Sequence, residues 1–141
     1  MIRIESLAGK FPVVLIGMWV FFSGCIDAEG ASWKYFYFSK DNKITYYYDE
    51  ESITFPSPGN IRAWIKQVDE HDEYKKSHVE LNCREKTYTF LAIISYTKEN
   101  RVKYGSTYSP QWESFPAGSV LNFLNTILCP LIDRINKPNN K

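Results

Sequence analysis

The chain has 141 residues and a mass of 16.5 kDa, with Lys+Arg 17 against Asp+Glu 16, which is enough for one domain and too little for two well-filled cores. Hydrophobic residues make up 44% and charged residues 23%, a folded composition, and the formal net charge of +1 argues against a nucleic-acid partner, which needs a clustered basic excess. Aromatics reach 16%, with 10 Tyr, 9 Phe and 4 Trp, a bias toward β-structure.

The N-terminus reads as an address. Arg3 and Lys10 precede an uncharged run from Phe11 to Phe22, and Ser23-Gly24-Cys25 follows. That is the order of a secretory signal. The 12 apolar residues extend only about 18 Å as a helix, short of the ~20 residues that cross a bilayer. Ser23-Gly24-Cys25 resembles a bacterial lipoprotein box, in which small residues precede a cysteine that is lipidated and becomes the mature N-terminus. Phe22 departs from the aliphatic residue usual at its place, which keeps ordinary cleavage near Ala28 open as the competing reading. Residues 1–24 are accordingly expected to be a lipoprotein-type signal peptide, Cys25 the lipid-bearing residue and 25–31 a tether. Ile26, in place of Asp, resembles lipoproteins sorted to the outer membrane, so the expected localisation is the outer membrane or surface of a Gram-negative cell, with the lipid as the membrane contact.

Loss of residues 1–24 removes two of the 17 basic and one of the 16 acidic residues and leaves 15 of each. With Cys25 assigned to lipid, Cys83 and Cys129 remain, and an oxidising compartment favours their pairing, which adds roughly 4 kcal/mol by loop-closure entropy. Two buried free thiols are the alternative.

Trp33–Phe38 and Ile44–Tyr48 are β-propensity runs separated by Ser39-Lys40-Asp41-Asn42, which predicts a hairpin. A short Ser52–Phe55 segment follows and is closed by the loop Pro56-Ser57-Pro58-Gly59-Asn60. Ile61–Val68 is a third strand, and Asp69–Ser77 a charged stretch without apolar period, expected to be a mobile loop. Val79–Cys83 and Thr87–Tyr96 predict the next two strands; Lys98-Glu99-Asn100 turns into Arg101–Thr107, where Gly105 is expected to mark a bulge. Ser119 is a suitable N-cap for a helix over Val120–Cys129, whose stripe of Val120, Phe123, Leu124, Ile127 and Leu128 faces the core; Pro130 is expected to end it. The fold class is therefore α+β, an antiparallel sheet of about six strands with one C-terminal helix packed on it, occupying residues 32–130 with a polar tail over 131–141.

Trp33, Tyr46-Tyr47-Tyr48-Asp49 followed by Ser52-Ile53, Ala63-Trp64, Asn82-Cys83-Arg84, Tyr96, Trp112, Pro116-Ala117-Gly118-Ser119 and Cys129-Pro130 succeed one another over about residues 31–130. In order and spacing these landmarks resemble the surface-adhesin protein E family of Gram-negative bacteria, small exported domains or lipoproteins. The resemblance implies an antiparallel sheet with a C-terminal helix, a Cys83–Cys129 disulfide, dimerisation and, for the member that names the family, adhesion to host extracellular proteins. No ligand-binding residue carries over, because the loops match no motif.

The chemistry-bearing residues point away from catalysis. His71 and His78 lie in or beside a charged stretch with Asp72 and Glu73, a set that suits zinc or nickel by type but lacks distinctive spacing, so no metal is expected. Asp49-Glu50-Glu51 reads as strand-end carboxylates facing water rather than a hydrolytic pair, and no cofactor motif is present. The chain is not expected to be an enzyme. Tyr35, Tyr37, Tyr46 and Tyr48 are the candidate binding residues. On period-2 strands Tyr35 and Tyr37 share one face and Tyr46 and Tyr48 share one face of the partner strand, either as a binding patch or as core. A first strand at a sheet edge with few charges also predicts a homodimer with Tyr35 or Tyr37 near the contact. The expected function is an envelope-anchored module recognising a protein partner at the cell surface, with a structural accessory lipoprotein as the alternative.

Overall fold

A computed structural model describes residues 31–137. The signal peptide, Cys25 and residues 25–30 of the tether lie outside the described residues.

The strands are β1 (Trp33–Ser39), β2 (Ile44–Asp49), β3 (Asn60–Val68), β4 (Tyr74–Asn82), β5 (Thr87–Tyr96), β6 (Val102–Thr107) and β7 (Glu113–Ser114), followed by the helix α1 (Val120–Asn136). They form one antiparallel sheet in the order β1-β2-β3-β4-β5-β6, with β7 also paired to β5. This is the α+β meander that the alternating runs imply.

Alternation along β3 sends Ile61, Ala63 and Ile65 to one face, and the register brings Val79 and Leu81 of β4 beside them. Leu124 and Leu128, one helical turn apart on α1, close over these residues, and all seven are buried. Each large aliphatic side chain in that layer contributes roughly 1.5–3 kcal/mol by leaving water. The disulfide Cys83–Cys129, with Cα atoms 5.7 Å apart, ties the end of β4 to the middle of the helix.

The helix entry follows the sequence closely. The Ser119 N–H donates to Pro116 O at 3.1 Å across a turn in which Gly118 takes φ 71°, a conformation costly for other residues. The Ser119 hydroxyl then accepts from the Asn122 N–H at 3.2 Å. The helix exit departs from expectation. Pro130 does not end α1, which runs on to Asn136 and takes in half of the expected polar tail. Proline removes one backbone donor and crowds the carbonyl four residues earlier, a penalty of about 3 kcal/mol. The covalent hold at Cys129 and the packing of Leu131 and Ile132 against the core offset it.

The charged stretch 69–77 is the second correction. Only residues 69–73 turn; β4 already begins at Tyr74, and Tyr74 and Ser77 are buried. Asp69 organises the turn, its Oδ1 accepting from His71 N at 2.8 Å and Glu73 N at 3.0 Å while Asp72 adopts φ 62°. Gly105 does not mark a bulge, since it pairs regularly with Ile94; the register slips between Ser95 and Tyr96, opposite Lys103.

Candidate functional site

The tyrosine set is divided by a bulge. Tyr35 lies opposite Tyr47 and Tyr37 opposite Tyr46, with Phe36 taken up between them. Because Tyr46 and Tyr47 are consecutive, Tyr35 and Tyr37 point to opposite faces, contrary to the period-2 expectation. Tyr37 turns to the helix side and stacks on Phe123 with ring centroids 4.9 Å apart; Tyr48 packs against the core with Phe36, and Tyr46 lies half-buried between Phe36 and Tyr37. Burial and the neighbouring Tyr37 raise the Tyr46 pKa above its ordinary value. Tyr35 alone of the four faces the other way, 61% exposed, with its ring edge-on to Tyr47 at 6.2 Å.

That other face of the sheet carries an ordered arrangement of aromatic and basic side chains. Registers from β1 to β5 place Trp33, Tyr35 and Tyr47, then Trp64 and Lys66, then Tyr74, Lys76 and His78, then Tyr96, all on the side away from the core cluster. Lys66 Nζ sits 4.7 Å from the Tyr74 ring centroid and 5.7 Å from that of Trp33; Lys76 Nζ sits 5.3 Å from Tyr96 and 5.6 Å from Trp33. Tyr74 and Tyr96 stack at 4.7 Å, and the Tyr74 hydroxyl donates to Asn100 Oδ1 at 2.9 Å. Trp64 stacks on His78 at 4.8 Å with 9° between ring planes. Burial lowers the His78 pKa, the Arg62 guanidinium lowers it further, and Glu80 opposes them. Next along the strands, Glu80 is 5% exposed and fully answered, accepting from Arg62 Nε and Asn60 Nδ2, each at 2.7 Å.

The sequence reading missed Trp33, Tyr47, Lys66, Tyr74 and Lys76 as members of one surface. Their alternate spacing on neighbouring strands is a usable signal, hidden by the charged side chains of the first half of β4, where the sequence predicts a loop.

The other chemical candidates are dispersed. His71 stands in the turn after β3, well exposed, while His78 is four residues into β4 against Trp64. Among the described residues no three His, Cys, Asp or Glu side chains are grouped to hold a metal ion. Asp49 is buried rather than facing water; its Oδ1 caps the 3-10 turn Glu50–Ser52 by accepting from Glu51 N at 3.1 Å and also accepts from Ser32 N, ahead of β1, at 3.0 Å. Glu50 lies 3.5 Å from Lys34. No helix among the described residues is long and apolar enough to cross a membrane.

The family of surface-adhesin protein E matches the chain over residues 35–130, from the first strand to the proline within the helix. No curated protein and no solved structure matches it.

Proposed function

The chain belongs to the surface-adhesin protein E family, a surface-adhesin-like exported protein in general terms, and from that premise we propose that it is an envelope-anchored lipoprotein which recognises a protein partner and performs no catalysis. The observation that carries the binding reading is Tyr35, 61% exposed on an edge strand and continuous with Tyr47, Trp33 and the lysine-capped rings of Tyr74 and Tyr96. An exposed tyrosine flanked by partly buried rings suits a protein contact, where aromatic side chains are enriched and bury large areas. The interleaved lysines favour a partner surface carrying carboxylates.

Anchoring rests on Cys25, whose acyl chains hold the module at the membrane. Cys25→Ser abolishes acyl labelling and releases the protein from membranes; retention of that variant in the membrane fraction refutes lipid anchoring. Surface display is tested by protease shaving of intact cells, which digests a displayed domain and spares a periplasmic accessory. Recognition is read by binding of such cells to immobilised host extracellular-matrix proteins. The double substitution Tyr35→Ala with Tyr47→Ala removes that binding; unchanged binding sinks the aromatic-face reading.

The same face supports a homodimer. Edge strand β1 carries a bulge at Phe36 that works against direct strand addition, so the two-fold contact is expected through Tyr35 and Tyr47 rather than through open backbone. Sedimentation at about 0.1 mM, far above a micromolar dissociation constant, decides it; a monomer there leaves the dimer without support.

A further inference from the structure

On the edge facing β6 and β7, β5 pairs with β6 from Ala92 onward and with β7 at Thr87 and Tyr88, so the intervening residues 89–91 have no strand beside them on that side. Residues 108–112 cross this gap as a strap without strand structure. The strap is tied at two points: the Tyr108 N–H donates to Leu91 O at 2.9 Å, and the Gln111 N–H donates to Thr89 Oγ1, itself buried, at 2.8 Å. Between strap and strand lies a cavity of about 500 Å³, within the range of small-molecule sites.

Its walls have two chemistries. Tyr88, Phe90 and Tyr108 supply aromatic rings. Tyr88 is held before any ligand arrives: it stacks on Phe115 at 5.6 Å, meets Phe90 edge-on at 5.6 Å, and donates its hydroxyl to Glu113 Oε2 at 2.9 Å. Ile93 adds an aliphatic side chain, and the polar lining comprises the hydroxyls of Thr107 and Ser109, the amide of Gln111 and the Glu113 carboxylate, the one full charge among the lining residues.

The geometry points to a saccharide-binding site between this strap and β5, selective for neutral oligosaccharides. A pyranose has a C–H face that lies on an aromatic ring and a rim of hydroxyls that need donors and acceptors in several directions. β5 supplies the Tyr88 and Phe90 rings, and the strap and its flanks supply the Tyr108 ring together with hydroxyl, amide and carboxylate groups, so both needs are met within one cavity. A purely apolar ligand would desolvate those polar groups without pairing them, which costs free energy for each one left unmet. An anionic sugar would meet Glu113 with no lining cation to compensate. The site lies at the β5–β7 edge, distinct from the Tyr35–Tyr47 surface, and does not depend on the protein-partner reading.

The test is saturation-transfer NMR of the full-length protein in a sugar-free detergent, with N,N′,N″-triacetylchitotriose and maltotriose as neutral probes and trigalacturonate as the anionic one. At least one neutral trisaccharide receives saturation at its ring protons with a dissociation constant of about 1 mM or tighter, and trigalacturonate binds at least tenfold more weakly. Tyr108→Ala, a substitution at an exposed side chain that leaves the strap's backbone bond in place, weakens neutral binding at least tenfold, and Gln111→Ala does so independently. Absence of transfer to both neutral probes at about 10 mM overturns the proposal. Equal binding of trigalacturonate, or wild-type affinity in both variants, overturns it as well.

Discussion

Removing the Cys83–Cys129 bond is the most informative perturbation of this fold, because it cuts the disulfide crosslink between sheet and helix. The crosslinked residues are 46 apart in sequence, which by loop-closure entropy places the stabilisation at roughly 4 kcal/mol. A domain of this size has about 5–15 kcal/mol in all, so the loss takes a large share. In melting temperature it corresponds to about 15–30 °C. The variant Cys83→Ala with Cys129→Ala avoids stranding thiols or hydroxyls in the half-buried site. Urea unfolding followed by tryptophan fluorescence measures the change, and the denaturant slope is expected to rise as the unfolded chain expands. Amide exchange adds a local readout. Residues 131–136, which continue the helix past Pro130, are expected to lose protection before residues 120–128 do. A loss under about 1 kcal/mol with unchanged slope refutes the entropic account. Intact protection of 131–136 refutes the clamp as the reason the helix passes its proline.

Pro130→Ala restores a helical donor at an exposed site and is expected to stabilise the protein by about 1–2 kcal/mol, the helix gain being reduced by a freer unfolded chain; thermal unfolding checks it. Leu128→Ala empties a fully buried position between α1 and β3 and is expected to cost about 2–5 kcal/mol in urea unfolding. His78 has a folded pKa below its unfolded value, so the unfolded chain binds the extra proton: stability is full above about pH 6.5 and falls as pH drops from there toward the folded pKa. His78→Phe keeps the stack on Trp64 and is expected to flatten the melting temperature between pH 7 and 5.5; an unchanged slope excludes His78 as the source.

The fold class and the disulfide were legible because their signals are local or arithmetical. β5 begins and ends at the residues its apolar run marks, and Ser119 caps α1 as its side chain predicts. What escaped has a different origin. The first half of β4 alternates Tyr74, Lys76, His78 on one face with Lys75, Ser77, Val79 on the other, a strand pattern masked by the polarity of lysine and serine. Burial of Ser77 comes from neighbouring strands, which no local window contains. The bulge at Phe36 is likewise a property of two strands pairing, and it alone reverses the face on which Tyr37 stands relative to Tyr35. β7 has two residues and exists because Tyr88 and Thr87 offer it an edge, so no sequence period announces it.

The lysines of the aromatic face explain how a sheet with its helix on one side tolerates so many rings on the other. Lys66 and Lys76 are half-buried because their methylene stems lie along the rings and their ammonium groups rest over them, so each side chain shields apolar surface and still presents charge. A second helical layer would have buried the rings completely and left nothing to bind. Shielding by flexible, charged side chains is reversible: a partner carboxylate can draw the ammonium aside and put its own apolar atoms on the uncovered ring. For the protein partner proposed above, the residues that keep this face soluble would also supply the first contact, and the strength of that contact would fall with salt while the ring burial beneath it would not.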